Sequence, residues 1–167
     1  MTPLAPLPKG AAAFREFYGF HSPQHVDDAG HATKAWESRL MLISLPAPLS
    51  LSWDRWIHVR QVRLHPQCAS HFDRFLREVY AEGLWQFLDP FGGGYAWRLQ
   101  RGSAGALSTH AFGAALDFDP AGNPRGRAIE DCRMPRDVVN IARAVGLACG
   151  ADFATIDVMH FQAGEEW

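Results

Sequence analysis

The chain is short of every feature that would take it out of the ordinary run of folded domains. It has 3 cysteines, an odd number without C-x-x-C spacing. That excludes a disulfide framework and a thiolate zinc site, and leaves Cys68, Cys132 and Cys149 as small apolar core residues. A net charge of -2 and the lack of any Lys/Arg cluster provide no field for nucleic acid phosphates, so no nucleic acid partner is expected. No apolar run is long enough to span a bilayer, which takes about 20 residues. The most apolar stretch, 40–53, is broken by Pro46 and Pro48 and is expected as buried strand and loop, without membrane insertion. The first ten residues lack a basic segment followed by an apolar one. No secretory signal is expected, and synthesis in the cytoplasm is. Internal repeats, low-complexity tracts and long linkers are missing too.

What is present suits one domain over residues 1–167. Hydrophobic residues make up 47% and charged residues 20%, so a chain of 167 residues can bury a core without a disulfide or a structural metal. Ala12, Phe14, Phe17 and Tyr18 have helical spacing, with Gly19 as a stop, and predict a short helix over 9–18. Residues 21–35, rich in His, Asp and Gly, predict a loop. The alternation in 57–64 breaks phase at Gln61, which predicts a strand carrying a bulge. The stripe Phe72, Phe75, Leu76, Val79 and Tyr80 predicts a helix over 68–82, ended by Gly83. A second helix is predicted from Pro135, with Val138, Val139, Ile141, Ala142 and Val145 inward and Gly146 as its stop. Strands are predicted over 95–100, 114–119 and 156–162. Helices and strands mix without a βαβ rhythm, so the fold class is α+β with a small antiparallel sheet flanked by helices.

Two segments carry chemistry, LSTHAFGAALDFD (107–119) and DVMHFQ (157–162). On a strand over 114–119, Leu116 and Phe118 share one face, and Asp117 and Asp119 the other. Carboxylates beside a histidine in an apolar segment must be paired or hold a metal. His-x6-Asp alone is a weak signal, and a lone His160 is more often a satisfied core histidine. Spacing by itself leaves the metal open.

The combination is specific. Ser108, His110, Gly113, Ala115 and Asp117 fit S-x-H-x-x-G-x-A-x-D. Asp157, His160, Phe161 and Gln162 fit D-x-x-H-F-[EQ], and upstream Tyr95, Arg98, Arg101 and Gly102 fit Y-x-x-R-x-x-R-G. Over this core, 92–162, the chain resembles the D-alanyl-D-alanine carboxypeptidase family of zinc peptidases. Its likeness is greatest to the branch of phage and bacterial L-alanyl-D-glutamate endopeptidases used as lysins. The resemblance implies a hedgehog/D-Ala-D-Ala-peptidase-like fold and one Zn2+ held by His110, Asp117 and His160. It implies Asp157 as general base and Arg98 beside the scissile bond. Ser108 and Tyr95 would bind substrate or support the inner residues. The chain departs from the family at Val158 and Met159, where aromatic residues are common, and this bears on the shape of the cleft.

Elementary chemistry agrees with those roles. Two imidazoles and a carboxylate suit zinc and leave a fourth position for water. An acid three residues before a ligand can take a proton from that water, and a fixed guanidinium can stabilise an oxyanion. On an ideal strand, however, Asp157 and His160 would face opposite sides, so the assignment requires a local turn or bulge. The other histidines add no second site. His21-x3-His25 flanks Pro23 in a loop and lacks an acidic or thiolate partner. Glu165 and Glu166 are expected as solvated tail charges.

The expectation is therefore a monomeric zinc peptidase acting on peptidoglycan stem peptides of the cell wall, reached by phage-type release, with L-alanyl-D-glutamate cleavage foremost. The rivals are a D,D-carboxypeptidase removing terminal D-alanine and a catalytically silent zinc-containing binding domain. Asp157 and Arg98 favour an enzyme, because a binding module needs neither.

Overall fold

The computed structural model describes residues 4–20, 24–103 and 105–165. His21 and Glu166 lie outside the described residues, so the His21/His25 pair and the second tail charge have no structural account here. Helix α1 (Ala11–Phe17) and a single turn, α2 (Lys34–Glu37), precede an antiparallel ribbon of β1 (Met41–Ser50) and β2 (His58–Leu64). Helix α3 (Pro66–Ala81) follows, then β3 (Phe91–Gly93) and β4 (Ala115–Phe118). Helix α4 (Arg136–Ala144), β5 (Ala148–Gly150) and β6 (Asp157–Gln162) complete the chain. The last four strands form an antiparallel sheet in the order β3-β4-β6-β5. This is the expected α+β arrangement. No helix among the described residues is long and apolar enough to cross a membrane.

The helices follow from local chemistry. Pro66 opens α3, where its missing N–H costs nothing, and the His65 side chain accepts a hydrogen bond from the Gln67 N–H at 3.3 Å. Helix α3 thus starts two residues before the expected position. Phe72, Phe75, Leu76 and Val79 are buried as predicted, whereas Tyr80 is half exposed and leaves the stripe. Val138, Val139 and Ala142 of α4 are buried, while Ile141 only partly is.

The core lies between α3 and one face of the sheet. Phe118 of β4 and Phe161 of β6 have ring centres 5.9 Å apart, and Phe75 of α3 packs 5.1 Å from Phe161. Alternation along β4 and β6 puts Leu116, Phe118 and Phe161 in this layer and turns Asp117 and His160 to the other side. A second aromatic group ties the N-terminal part to the sheet. Phe14 and Phe20 pack at 5.0 and 5.3 Å on Phe112. Tyr18 donates to the Ala163 carbonyl at 2.6 Å, and Trp36 Nε1 donates to the Ala111 carbonyl at 2.9 Å.

Three expectations are corrected. Residues 95–100 form no strand: they run as an irregular segment with one bridge between Leu99 and Leu107, and the neighbouring strand is β3. The irregularity at Gln61 is real, but the extra residues belong to β1. The register passes from Ser44↔Gln61 to Leu49↔Val59, so the segment with Pro46 and Pro48 bows out opposite Arg60. A proline cannot donate to a ladder, which explains the side on which the bulge forms. The stretch 40–53 is strand and loop but only partly buried. Ile43, Leu49 and Leu51 are in the core, whereas Leu42 and Trp53 are 55% and 67% exposed.

Candidate active site

The site sits on the sheet face away from α3. His110 reaches it from a 3-10 turn, Thr109–Phe112, which begins at Ser108. The Ser108 hydroxyl accepts from the His110 N–H at 3.4 Å, so Ser108 supports the turn that carries the histidine. Gly113 ends the turn at φ +65, and a Cβ there would lie 2.8 Å from Leu40 Cδ2 and 3.1 Å from the His65 nitrogen. Only glycine suits both the left-handed backbone and the close approach. Asp117 and His160 are cross-strand partners on β4 and β6.

The three side chains converge. Asp117 Oδ1 is 2.9 Å from His160 Nδ1, Asp117 Oδ2 is 3.2 Å from His110 Nε2, and the two imidazole nitrogens are 3.2 Å apart. Each ring has its other nitrogen committed elsewhere. His110 Nδ1 lies 2.8 Å from the Gly94 carbonyl, and His160 Nε2 lies 2.9 Å from Gln162 Oε1. Carbonyl and amide oxygens accept only, so these outer nitrogens carry the protons. The inner nitrogens then present lone pairs to each other and to a carboxylate. Gln162 is itself oriented, since its Nε2 donates to the Gly164 carbonyl at 3.0 Å. Three electron-pair donors facing one point repel unless a cation lies between them. All three ligand atoms lie within 4.8 Å of one another. The donor set, two imidazoles and one carboxylate with their outer nitrogens anchored, fits a zinc ion.

Electrostatics express the same demand. Burial alone would raise the Asp117 carboxyl, but hydrogen bonds and charge from His110 and His160 hold it well below the usual carboxylate range. Burial opposes a charged His160, yet the bonds and charge of Asp117, with Gln162, push its pKa upward.

The remaining sequence candidates divide. Asp157 lines the same cleft as Asp117 and His160, because β6 is bulged: Cys149 pairs with Phe161, but the next pair is Gly150 with Asp157. The required break in alternation is therefore there. Arg125 Nε is 3.7 Å from Asp157 Oδ2, and Asp157 Oδ1 is buried with no hydrogen-bond partner among the described residues. Burial, helped by the charge of Asp117, pushes the Asp157 carboxyl upward, against His160, Arg125 and Arg101. Arg98 lines the cleft and is held by its backbone, whose carbonyl accepts from the Ser108 N–H at 3.0 Å. Tyr95 lines a second hollow, together with Arg98, His110 and Asp117. Its hydroxyl donates to Glu37 Oε1 at 3.4 Å, and burial, then the charge of Glu37, raises its pKa to about 12.

Asp119 does not join Asp117. It adopts φ 45 just beyond β4, accepts from the Gly122 N–H at 3.1 Å and pairs with Arg133 at 2.8 Å. The strand ends one residue too early for the shared face that alternation predicted. Sequence reasoning also gave no role to Gln162 and Arg101, both inside the quoted motifs, or to Arg125. Arg125 lies in the irregular segment after β4, where no periodicity marks it.

Two adjoining hollows meet at Asp117, one reaching Asp157 and His160 and the other His110. One, of about 310 Å3, holds Asp157, His160, Arg98, Arg101 and Arg125. The other, of about 670 Å3, is walled by Leu42, Leu51, Trp53, Val59 and Tyr95. Arg98 and Asp117 line both.

Residues 101–163 match the family model for D-alanyl-D-alanine carboxypeptidase. The match supports a peptidase. It spans His110, Asp117, Asp157 and His160, while Arg98 and Tyr95 fall outside it. No curated protein and no solved structure matches the chain.

Proposed function

We propose that the protein is a zinc-dependent peptidase that hydrolyses peptide bonds in peptidoglycan stem peptides, with the L-alanyl-D-glutamate bond as its target. The observation that carries this reading is the convergence, in one cleft, of three anchored donor atoms beside Asp157, a half-buried carboxylate whose Oδ1 has no hydrogen-bond partner among the described residues. His110, Asp117 and His160 would hold the ion. Bound zinc supplies a nucleophilic water near neutral pH and polarises the scissile carbonyl.

The chain's own groups account for the rest. Asp157 takes the proton from the attacking water and returns it to the leaving amine, so that hydrolysis yields one carboxylate and one free amine. Its raised pKa suits a group that must both accept and release that proton. Arg98 donates to the carbonyl oxygen as negative charge develops on it. The sheet fixes Asp117 and His160, and the Gly94 and Gln162 oxygens fix the rings, so little reorganisation is needed on binding.

The cleft favours an endopeptidase over a carboxypeptidase. Two hollows share Arg98 and Asp117, one lined by His160 and the other by His110, and together they offer room for more chain than a terminal residue. A binding domain without catalysis would need neither Asp157 nor Arg98 in the cleft. The test is mass spectrometry of peptidoglycan digested by the zinc-loaded protein. New L-alanine and D-glutamate ends are expected. Release of free D-alanine would make it a carboxypeptidase, and an intact wall with zinc bound would make it a binding domain.

A further inference from the structure

The smaller hollow has a charge pattern that the hydrolytic step does not use. Arg98, Arg101 and Arg125 all line it. Its carboxylates are Asp117, engaged by two imidazoles, and Asp157, with Arg125 at 3.7 Å. Arg98 and Arg101 have no side-chain acceptor among the described residues. Three guanidiniums together with a divalent cation outweigh two carboxylates, so the hollow has positive charge to spare. The larger hollow differs. Its walls are mostly apolar, and its additional arginine, Arg63, lies over the Tyr95 ring at 5.9 Å. The two hollows thus differ in character, one cationic and the other mostly apolar.

We propose that the cationic hollow reads a free carboxylate on the residue next to the scissile bond, with Arg101 and Arg125 as specificity-determining residues. The inference rests on the peptidase reading above. A planar guanidinium offers a two-pronged donor that matches a carboxylate, which a neutral amide cannot replace. Among stem-peptide residues, a glutamyl residue joined onward through its γ-carboxyl fits this demand. Its α-carboxylate stays free, directly beside the bond at its amine. Amidation of that carboxyl would remove the charge and add a donor facing a donor.

The test uses the zinc-loaded protein and two stem peptides that differ only in a free α-carboxyl or an α-amide on the glutamyl residue. The wild type is expected to show KM about 10–100-fold higher for the amide, the span of one or two charge-assisted hydrogen bonds. Arg101→Gln should raise KM for the carboxylate peptide and leave that for the amide nearly unchanged, so the discrimination shrinks. Arg125→Gln should do the same while also lowering kcat, because it neighbours Asp157. Zinc content and far-UV dichroism serve as folding controls, and Arg101 is exposed. Calorimetric binding of both peptides to zinc-loaded Asp157→Asn gives the same comparison without turnover. If neither peptide is cut but binding still discriminates, the hydrolytic reading fails and the carboxylate site stands. Equal KM and equal binding for the two peptides would overturn the site, as would wild-type discrimination in both arginine variants.

Discussion

At the scale of single residues, the proposed function separates groups that would hold the ion from groups that would act on substrate. Asp157→Asn keeps the shape of the side chain and removes its basicity. Its kcat is expected to fall about 10²–10⁴-fold, the usual contribution of a general base, with a full equivalent of zinc retained in metal analysis. Loss of zinc from this variant would make Asp157 a ligand instead. Gln162 acts one step further out. Gln162→Leu removes the acceptor that fixes the His160 tautomer, at 2.9 Å. Zinc affinity measured by competition with a chelator is expected to drop about 10–100-fold, as for other losses of an outer hydrogen bond to a metal-binding histidine. His110→Ala and His160→Ala should lose zinc outright, which puts Gln162→Leu between them and the wild type. The identity of Gln162 is visible in the sequence motif. Its role is not, because an acceptor two residues along the strand is distinguished from a surface amide only by where the rings point.

At the scale of elements, the short turn from Ser108 to Gly113 matters most for the site. It places His110 opposite a strand pair, and its end needs glycine for two separate reasons, a positive φ and a neighbour at 2.8 Å. Gly113→Ala is expected to cost about 1–3 kcal/mol in denaturant unfolding, from left-handed strain plus crowding. Gly126→Ala has a similar φ, +86, but open space around its Cβ, and should cost only about 1 kcal/mol. Equal losses in the two variants would remove crowding as a cause. The helices at 68–82 and after Pro135 were legible because amphipathic spacing and stop glycines are local signals. The error over 95–100 has a physical reason: its apolar residues serve an irregular segment whose backbone bonds go to 106–110, among them Ala96 N–H to the His110 carbonyl at 3.3 Å. The bulge in β6 was legible only as a requirement. Two chemically paired residues three apart cannot share a strand face, and the register break between Cys149 and Gly150 meets that requirement.

At the scale of the whole molecule, pH couples the N-terminal layer to stability. His65 caps α3 and stacks on Trp36 at 5.8 Å, with its Nε2 buried and without a hydrogen-bond partner among the described residues. Burial, then the charge of Arg39, lowers its pKa from 6.5 to about 4. A histidine whose pKa is depressed by folding takes its proton more readily when unfolded. Its contribution is complete above the unfolded value and is lost as pH falls from about 6.5 to about 4. Unfolding free energies of His65→Asn, which keeps a capping acceptor, should therefore fall less steeply across that window than those of the wild type. Parallel curves would show that His65 is solvated.

The sequence by itself determined the local facts of this protein: two amphipathic helices with their stops, the α+β class, and the histidines and aspartates able to bind a metal. These follow from spacing and side-chain chemistry, which need no knowledge of distant contacts. The tertiary structure alone decided which donors meet. His110 and His160 are 50 residues apart along the chain, and only the pairing of β4 with β6 and the aromatic packing around Phe112 bring their nitrogens to 3.2 Å. It also decided that Asp119 leaves the site, that Asp157 enters it through a bulge, and that Arg98, Arg101 and Arg125 line one hollow together. Backbone path and long-range packing set each of these, and neither is written in any one stretch of residues.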